Sequence, residues 1–222
     1  MEAYYLMPHP PIIIPSIGKG EELKLYKTSL ACYEVSQEIE QIQPDTIIII
    51  TPHGAMFSDA IAISEGETIA GDFGRFQCSE IRIEQPLDIQ FNQELLKECQ
   101  KNQISVVTVD EPLLKAYGRH FELDHGALVP LYFINKYYTN YKLVHITYAP
   151  INDRQLYQFG MILEEVSQKL NKKVVMIASG DLSHKLTESG PYSYSPYGEE
   201  FDRQFLEKLS SKQPLEIFEL DK

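Results

Sequence analysis

The chain has 222 residues, 43% of them hydrophobic, and its 20 Lys and Arg against 32 Asp and Glu give a formal charge of −12. That much apolar content supports a real core and excludes wholesale disorder. The acid surplus, with no run of Lys or Arg, excludes a nucleic-acid binder, which needs clustered cations to replace phosphate counterions.

In chain order, the run Tyr-Tyr-Leu-Met predicts a strand over 4–7. Leu23, Tyr26, Leu30 and Tyr33 recur at helical spacing and continue through Val35, Ile39 and Ile42. A β-branched strand follows over 46–51. The stretch 60–86 has no helical period; with short strands over 60–64 and 79–83, it reads as a hairpin excursion at the sheet edge. Within it, Gly71-Asp-Phe-Gly74 lacks the glycine spacing and lysine of a nucleotide loop and reads as an edge turn. A helix over 88–102 puts Phe91, Leu95 and Cys99 on one face and leads to a strand over 105–109. A helix over 126–136, a strand over 142–147, a helix capped by Asp153 and a strand over 173–178 come next. In the helix after Asp153, Leu156, Phe159, Leu163, Val166 and Leu170 form the apolar stripe; a last helix over 198–210 carries Phe201, Phe205 and Leu209. Strands alternating with helices predict one α/β domain with a mostly parallel or mixed central sheet and helices on both faces.

Cys32, Cys78 and Cys99 are scattered, odd in number and form no CxxC, which suggests neither a disulfide framework nor a zinc knuckle. The N-terminal MEAYYLMPHPPIIIP has no basic region, prolines break its apolar run, and apolar stretches such as Ile47 to Ile50 are far below the roughly 20 residues that span a bilayer. The expectation is a soluble cytoplasmic protein that binds neither membrane nor nucleic acid.

Ligands of open α/β sheets bind beyond the carboxyl ends of the strands. Three of the six histidines fall there: His9 in Met-Pro-His-Pro-Pro, His53 in Thr-Pro-His-Gly and His184 in Ser-Gly-Asp-Leu-Ser-His. His125 precedes a helix in Leu-Asp-His-Gly-Ala-Leu-Val-Pro. Each taken alone is ordinarily a hydrogen-bonded surface side chain, and the adjacent Pro and Gly are ordinary turn punctuation. Together they supply what a metal or acid/base site needs. His145, inside a strand, reads as a satisfied sheet residue, and His120 as a loop residue. A carboxylate completing a two-histidine, one-carboxylate iron face has candidates in Glu199 and Glu200, but acidic residues favour a first helical turn anyway, and spacing does not choose between them. No Gly-x-Ser-x-Gly elbow and no His-Glu-x-x-His are present, which disfavours a serine hydrolase and ranks a zinc hydrolase third; Ser183 reads as a local cap.

His-Pro-Pro, Pro-His-Gly, Asp-His-Gly-x-x-x-Pro-Leu and Gly-Asp-x-Ser-His followed by Glu-Glu-Phe-Asp, in this order, resemble the class III extradiol dioxygenases, the family of the protocatechuate 4,5-dioxygenase beta subunit, and within it the Memo-like branch of the AmmeMemoRadiSam system. The resemblance covers nearly the whole chain. It implies a dioxygenase-like domain over 1–222 with His9, His53 and Glu200 as ligands of Fe²⁺ (zinc or another divalent ion being the alternative), His184 as acid/base and His125 bonded to substrate or oxygen. It further implies a catechol-type substrate and O2, cleaved beside the diol, and a homo-oligomer or a second domain or subunit as partner. The alternative is a Memo-like metal-binding protein that cleaves no ring. Two departures stand out against the family pattern. The segment between His184 and Glu200, with Tyr192, Tyr194 and Tyr197, is short, and the sequence ends at 214–222 where the family continues, so the domain is expected to lack the family's C-terminal end.

Overall fold

Consecutive isoleucines set the centre of the sheet. Residues 1–189, 192–211 and 214–220 are described by a computed structural model, in which strand β2 (Thr46–Thr51) is buried along almost its whole length. Ile47 and Ile49 point to one face and Ile48 to the other, because side chains alternate across a strand. A run apolar on both faces has to be covered on both faces, as parallel strands in α/β proteins are.

The chain divides into two compact units, Met1–Gly180 and Asp181–Lys222. The first contains a six-stranded sheet in the order β1-β8-β2-β7-β3-β6, made of β1 (Ala3–Met7), β2, β3 (Ile61–Ser64), β6 (Val106–Val109), β7 (Lys142–Thr147) and β8 (Val174–Ser179). Strands β1, β8, β2 and β7 are mutually parallel; β3 runs antiparallel to β7, with Ala62 opposite Thr147, and β6 follows β3 in parallel. The sheet is therefore mixed, as expected. Helices α2 (Tyr26–Ile42) and α5 (His125–Ile134) pack with Ile47, Ile49, Leu143 and Val175 on one face. On the other, α3 (Ile89–Lys101) and α6 (Asp153–Lys169) bring Phe91, Leu95, Phe159 and Leu163 against Ile48 and Val144. The short helices α1 (Pro15–Gly18) and α4 (Glu111–Ala116) lie in connections. The second unit holds α7 (Pro196–Ser210) and a 3-10 turn, Pro214–Glu219, tied to it by Lys208 and Glu216 at 3.6 Å. The last two positions of the terminal stretch, and residues 190 and 191 between His184 and Glu200, lie outside the described residues.

Several local expectations need correcting. The first helical stripe does not begin at Leu23: Glu21–Leu25 is a 3-10 turn, Leu23 is 72% exposed, and the inward face of α2 is Cys32, Ser36 and Ile39. The N-cap of α6 is Asn152, whose side chain accepts from the Gln155 amide, and Asp153 sits one step later in the first turn. The stretch 60–86 is not an edge excursion of the main sheet, because β3 lies between β7 and β6. After it, β4 (Thr68–Phe73) and β5 (Cys78–Pro86) pair as a separate two-stranded sheet. Gly71 belongs to β4 rather than to a turn: Ile69, Gly71 and Phe73 face inward, and a Cβ on Gly71 would come within 2.6 Å of the Leu123 carbonyl oxygen. The turn comes later, in the 3-10 segment Gly74–Phe76.

Candidate metal centre

Parallel strands deliver their carboxyl ends to one rim, and here two of those ends lead into histidines. β1 ends at Met7 and leads through Pro8 to His9, while β2 ends at Thr51 and leads through Pro52 to His53. The third histidine, His125, is the first residue of α5. One ring nitrogen from each of His9, His53 and His125 lies within 4.8 Å of the others. His9 Nε2 and His53 Nε2 are 3.0 Å apart, the rings of His53 and His125 stack at 4.1 Å, and His9 meets His53 edge-on at 4.8 Å. His9 is buried, His125 half-buried and His53 exposed.

The donor set suits a divalent cation. Two nitrogens each about 2.1 Å from one ion, at about a right angle, lie about 3 Å apart. The protonation of His9 is also set by the fold. Ser179 Oγ, at the end of β8, lies 2.5 Å from the Gly126 carbonyl oxygen and 2.9 Å from His9 Nδ1. A hydroxyl has one proton and a carbonyl can only accept, so Ser179 donates to Gly126 and accepts from His9 Nδ1–H. That leaves the lone pair of the neutral ring on Nε2, turned toward His53. An outer partner that fixes the tautomer is what a metal-binding histidine requires.

Asp124 joins the other two histidine segments. As N-cap of α5, its Oδ1 accepts from the amides of Gly126 at 2.8 Å and Ala127 at 3.3 Å, and from Thr51 Oγ1 at 2.6 Å. The Thr51 oxygen in turn accepts from the His53 amide at 3.2 Å, so the carboxylate that starts the His125 helix also holds the turn carrying His53. Burial would raise its pKa, but His145 beside it, the Thr51 hydroxyl and His125 outweigh burial and hold the carboxyl at about 2. Gly54 and Gly126 permit the close approach: a Cβ on Gly54 would fall 2.1 Å from Thr147 Oγ1, and one on Gly126 would fall 2.3 Å from Thr51 Oγ1.

Beside the histidines lies a cavity of about 450 Å³ whose wall includes His53, His125, Asp124, His145, Arg119 and Phe76. Phe76 meets the His125 ring edge-on at 5.5 Å. His145 is the satisfied sheet residue its sequence position predicts, bonded to Ser64 Oγ and Asp124 Oδ2, yet it also faces the cavity, as does the loop residue His120.

In the second unit, His184 Nε2 is 3.3 Å from Asp181 Oδ2, and its ring stacks on Tyr192 at 4.9 Å. Ser183 caps locally, its Oγ accepting from the Lys185 amide, while its own amide donates to Asp202. Glu200, in the first turns of α7, binds Arg203 at 2.6 Å and Gln204 at 2.5 Å; the Arg203 guanidinium, then the Gln204 amide, hold its carboxyl at about 2. Of the sequence candidates, the structure thus brings His9, His53 and His125 together within the first unit and places His184 and Glu200 in the second. Sequence reasoning passed over Ser179, Thr51, Ser64 and Asp124. Only Asp124 carried a readable signal, an Asp directly before the helical His-Gly pair.

A family profile described as the catalytic LigB subunit of aromatic ring-opening dioxygenase matches residues 3–222. The chain belongs to the LigB family. The resemblance carried by the four histidine motifs holds, and the family is one of dioxygenase-like and Memo-like metal-binding proteins. Protein CA_C1420 of Clostridium acetobutylicum is 42% identical over 222 residues, all of this chain and 47% of its own length. MEMO1 family protein MJ0403 of Methanocaldococcus jannaschii is 24% identical over 155 residues, 68% of this chain and 47% of that protein, in line with the Memo-like branch. The chain spans about half the length of these curated relatives. Among the described residues, no helix is long and apolar enough to cross a membrane.

Proposed function

We propose that this LigB-family chain is a cytoplasmic non-haem iron(II) protein that cleaves a catechol-type substrate with O2 beside its diol. The observation that carries the reading is the convergence of three imidazoles, with Nε2 of His9 turned inward by Ser179, beside a cavity large enough for a small aromatic ring. Bound Fe²⁺ would supply a path for electrons from the diol to dioxygen and a Lewis-acidic anchor for the diol. His9 and His53 serve as neutral ligands, and the His9 tautomer is already set for that role by Ser179. Glu200 as carboxylate ligand and His184 as acid/base are roles taken from the family motif. His125 hydrogen-bonds substrate or oxygen on this reading, which its stacking on His53 and its position in the cavity wall support. Phe76 and Phe121 offer apolar walls for a ring, and the polar groups between them orient it. Both oxygen atoms of O2 enter the ring-opened product, so no external reductant is needed.

A second reading, a metal-binding protein that cleaves no ring and acts in an AmmeMemoRadiSam-type pathway or as a binding module, draws on the match to a MEMO1 family protein. Metal analysis of protein purified without oxygen, followed by an oxygen-electrode screen of catechols, separates the two. The dioxygenase reading expects one iron per chain and oxygen uptake with a yellow product. Tightly bound metal with no uptake over a broad catechol panel selects the second. Full iron content in a His9→Ala/His53→Ala double variant sinks the site itself, and unchanged metal content in Glu200→Gln removes Glu200 from it.

A further inference from the structure

On the wall of the same cavity, apart from the three clustered histidines, sits a second hydrogen-bonded chain. Ser64 Oγ is 2.8 Å from His145 Nδ1, and His145 Nε2 is 3.1 Å from Asp124 Oδ2. Ser64 and His145 are 4% and 3% exposed, and all three residues line the cavity. The direction of this chain follows from its acceptors. An ionised carboxylate can only accept, so a neutral His145 donates from Nε2–H to Asp124. Its Nδ1 then carries the lone pair and accepts the proton of Ser64. The Ser64 oxygen keeps its own lone pairs for a donor in the cavity. The backbone holds this alignment: Ser64 ends β3 opposite the middle of β7, where the antiparallel register pairs Ile63 with Ile146, and Asn92 Nδ2 donates to the Ser64 carbonyl at 2.9 Å. A histidine whose far nitrogen is held by a buried carboxylate, and whose near nitrogen faces a hydroxyl, is set to take a proton.

We propose that Ser64 and His145 form a proton-accepting relay for a hydroxyl group of the ligand bound in this cavity, with Asp124 as the positioning residue that stabilises the resulting imidazolium. The proposal rests on the diol-binding reading above and assigns the acceptor for one of the diol's two protons. The ligand hydroxyl donates to Ser64 Oγ as the Ser64 proton passes to His145 Nδ1. The products are a ligand anion and an imidazolium paired with Asp124, with no electrons exchanged. The other titratable groups on the cavity wall are Asp72, Arg75, Arg119, His120 and Glu122, together with His53 and His125. Arg75 and Glu122 pair with each other at 2.8 Å, and Arg119 donates to the Gly54 carbonyl at 3.2 Å.

The test is binding of 4-nitrocatechol, whose absorbance reports its ionisation, to the full chain loaded with zinc so that no turnover occurs. Titrations are run at one pH below and one pH above the first ionisation of the free probe. Wild type is expected to bind the probe as its anion at both. Ser64→Ala and His145→Gln are expected to lose about tenfold or more in affinity at the lower pH, equivalent to about one pKa unit, and little at the higher pH, where the probe arrives already ionised. Ser64→Thr, which keeps the hydroxyl, should restore the low-pH affinity and guards against a folding defect in the other two. Equal losses at both pH values, or none, with binding by wild type intact, overturn the relay and leave the diol reading standing. No binding by wild type at either pH overturns that reading and the relay with it.

Discussion

Ser179 shows how one hydroxyl can decide which ring nitrogen of a histidine keeps its lone pair. Its proton goes to the Gly126 carbonyl, so it can only accept from His9 Nδ1. Ser179→Ala removes that acceptor and frees the ring to turn or to change tautomer. Metal affinity, read by competition with a chelator, is expected to fall by about 10- to 100-fold, the usual loss when an outer partner of a metal-binding histidine is removed. Melting temperature of the metal-free protein should change little beside that loss. At this scale the sequence was partly legible. His9, His53 and His125 stood out because they sit beside Pro and Gly at element ends. Ser179, Ser64 and Thr51 did not, because a serine or threonine at a strand end looks like any other until sheet register shows what lies beside it. His145 was readable as a satisfied strand residue, but its partner Ser64 depends on β3 running against β7, which hydrophobic periodicity does not encode.

Among the elements, α3 depends most on a single buried charge. Asp88 is its N-cap, fully buried, accepting from the Phe91 amide at 3.1 Å, from Thr46 Oγ1 at 2.5 Å and from Lys172 Nζ at 2.6 Å. Burial pushes its pKa up, but the Lys172 ammonium and the Thr46 hydroxyl outweigh burial, and the carboxyl stays below its ordinary value. A lowered carboxylate contributes stability that is fully present above the unfolded value of about 3.9 and is lost as pH falls below it toward the folded value. Stability read from urea denaturation should therefore fall more steeply below about pH 4 in wild type than in Asp88→Asn, whose side chain does not titrate. Asp88→Ala, which strands Lys172 and removes the cap, is expected to cost about 3 kcal/mol in urea denaturation. Element types were well read from the sequence, since α3 and α6 turn Phe91, Leu95, Phe159 and Leu163 inward as their spacing required. The start of α2 was misread because Leu23, Tyr26 and Leu30 fit a helical period yet are exposed, and period alone does not say which face a helix buries.

For the whole molecule, the three cysteines report folding rather than chemistry. Cys32, Cys78 and Cys99 are buried free thiols, and burial pushes the pKa of Cys32 to about 11 and of Cys99 to about 12. Thiols so placed are poor nucleophiles at neutral pH. A chromogenic disulfide reagent is expected to label none of them on the minute timescale in native protein and all three in denaturant, with the labelling rate tracking global opening. Rapid native labelling of Cys32 or Cys99 would contradict the packing of α2 or α3. The strand order has a further consequence, one for synthesis. Among the described residues β1 pairs only with β8, so this strand finds its partner in nearly the last stretch of the first unit. His9 must wait for Ser179, 170 residues later, before its ring is fixed. At about 5 to 20 residues per second, that delay is on the order of ten seconds or more. A nascent chain therefore carries His9 unfixed until β8 has been made. On the proposed metal-binding reading, an ion held only by the native chain would stabilise it by mass action, and its loading would follow completion of the sheet rather than the emergence of the histidines.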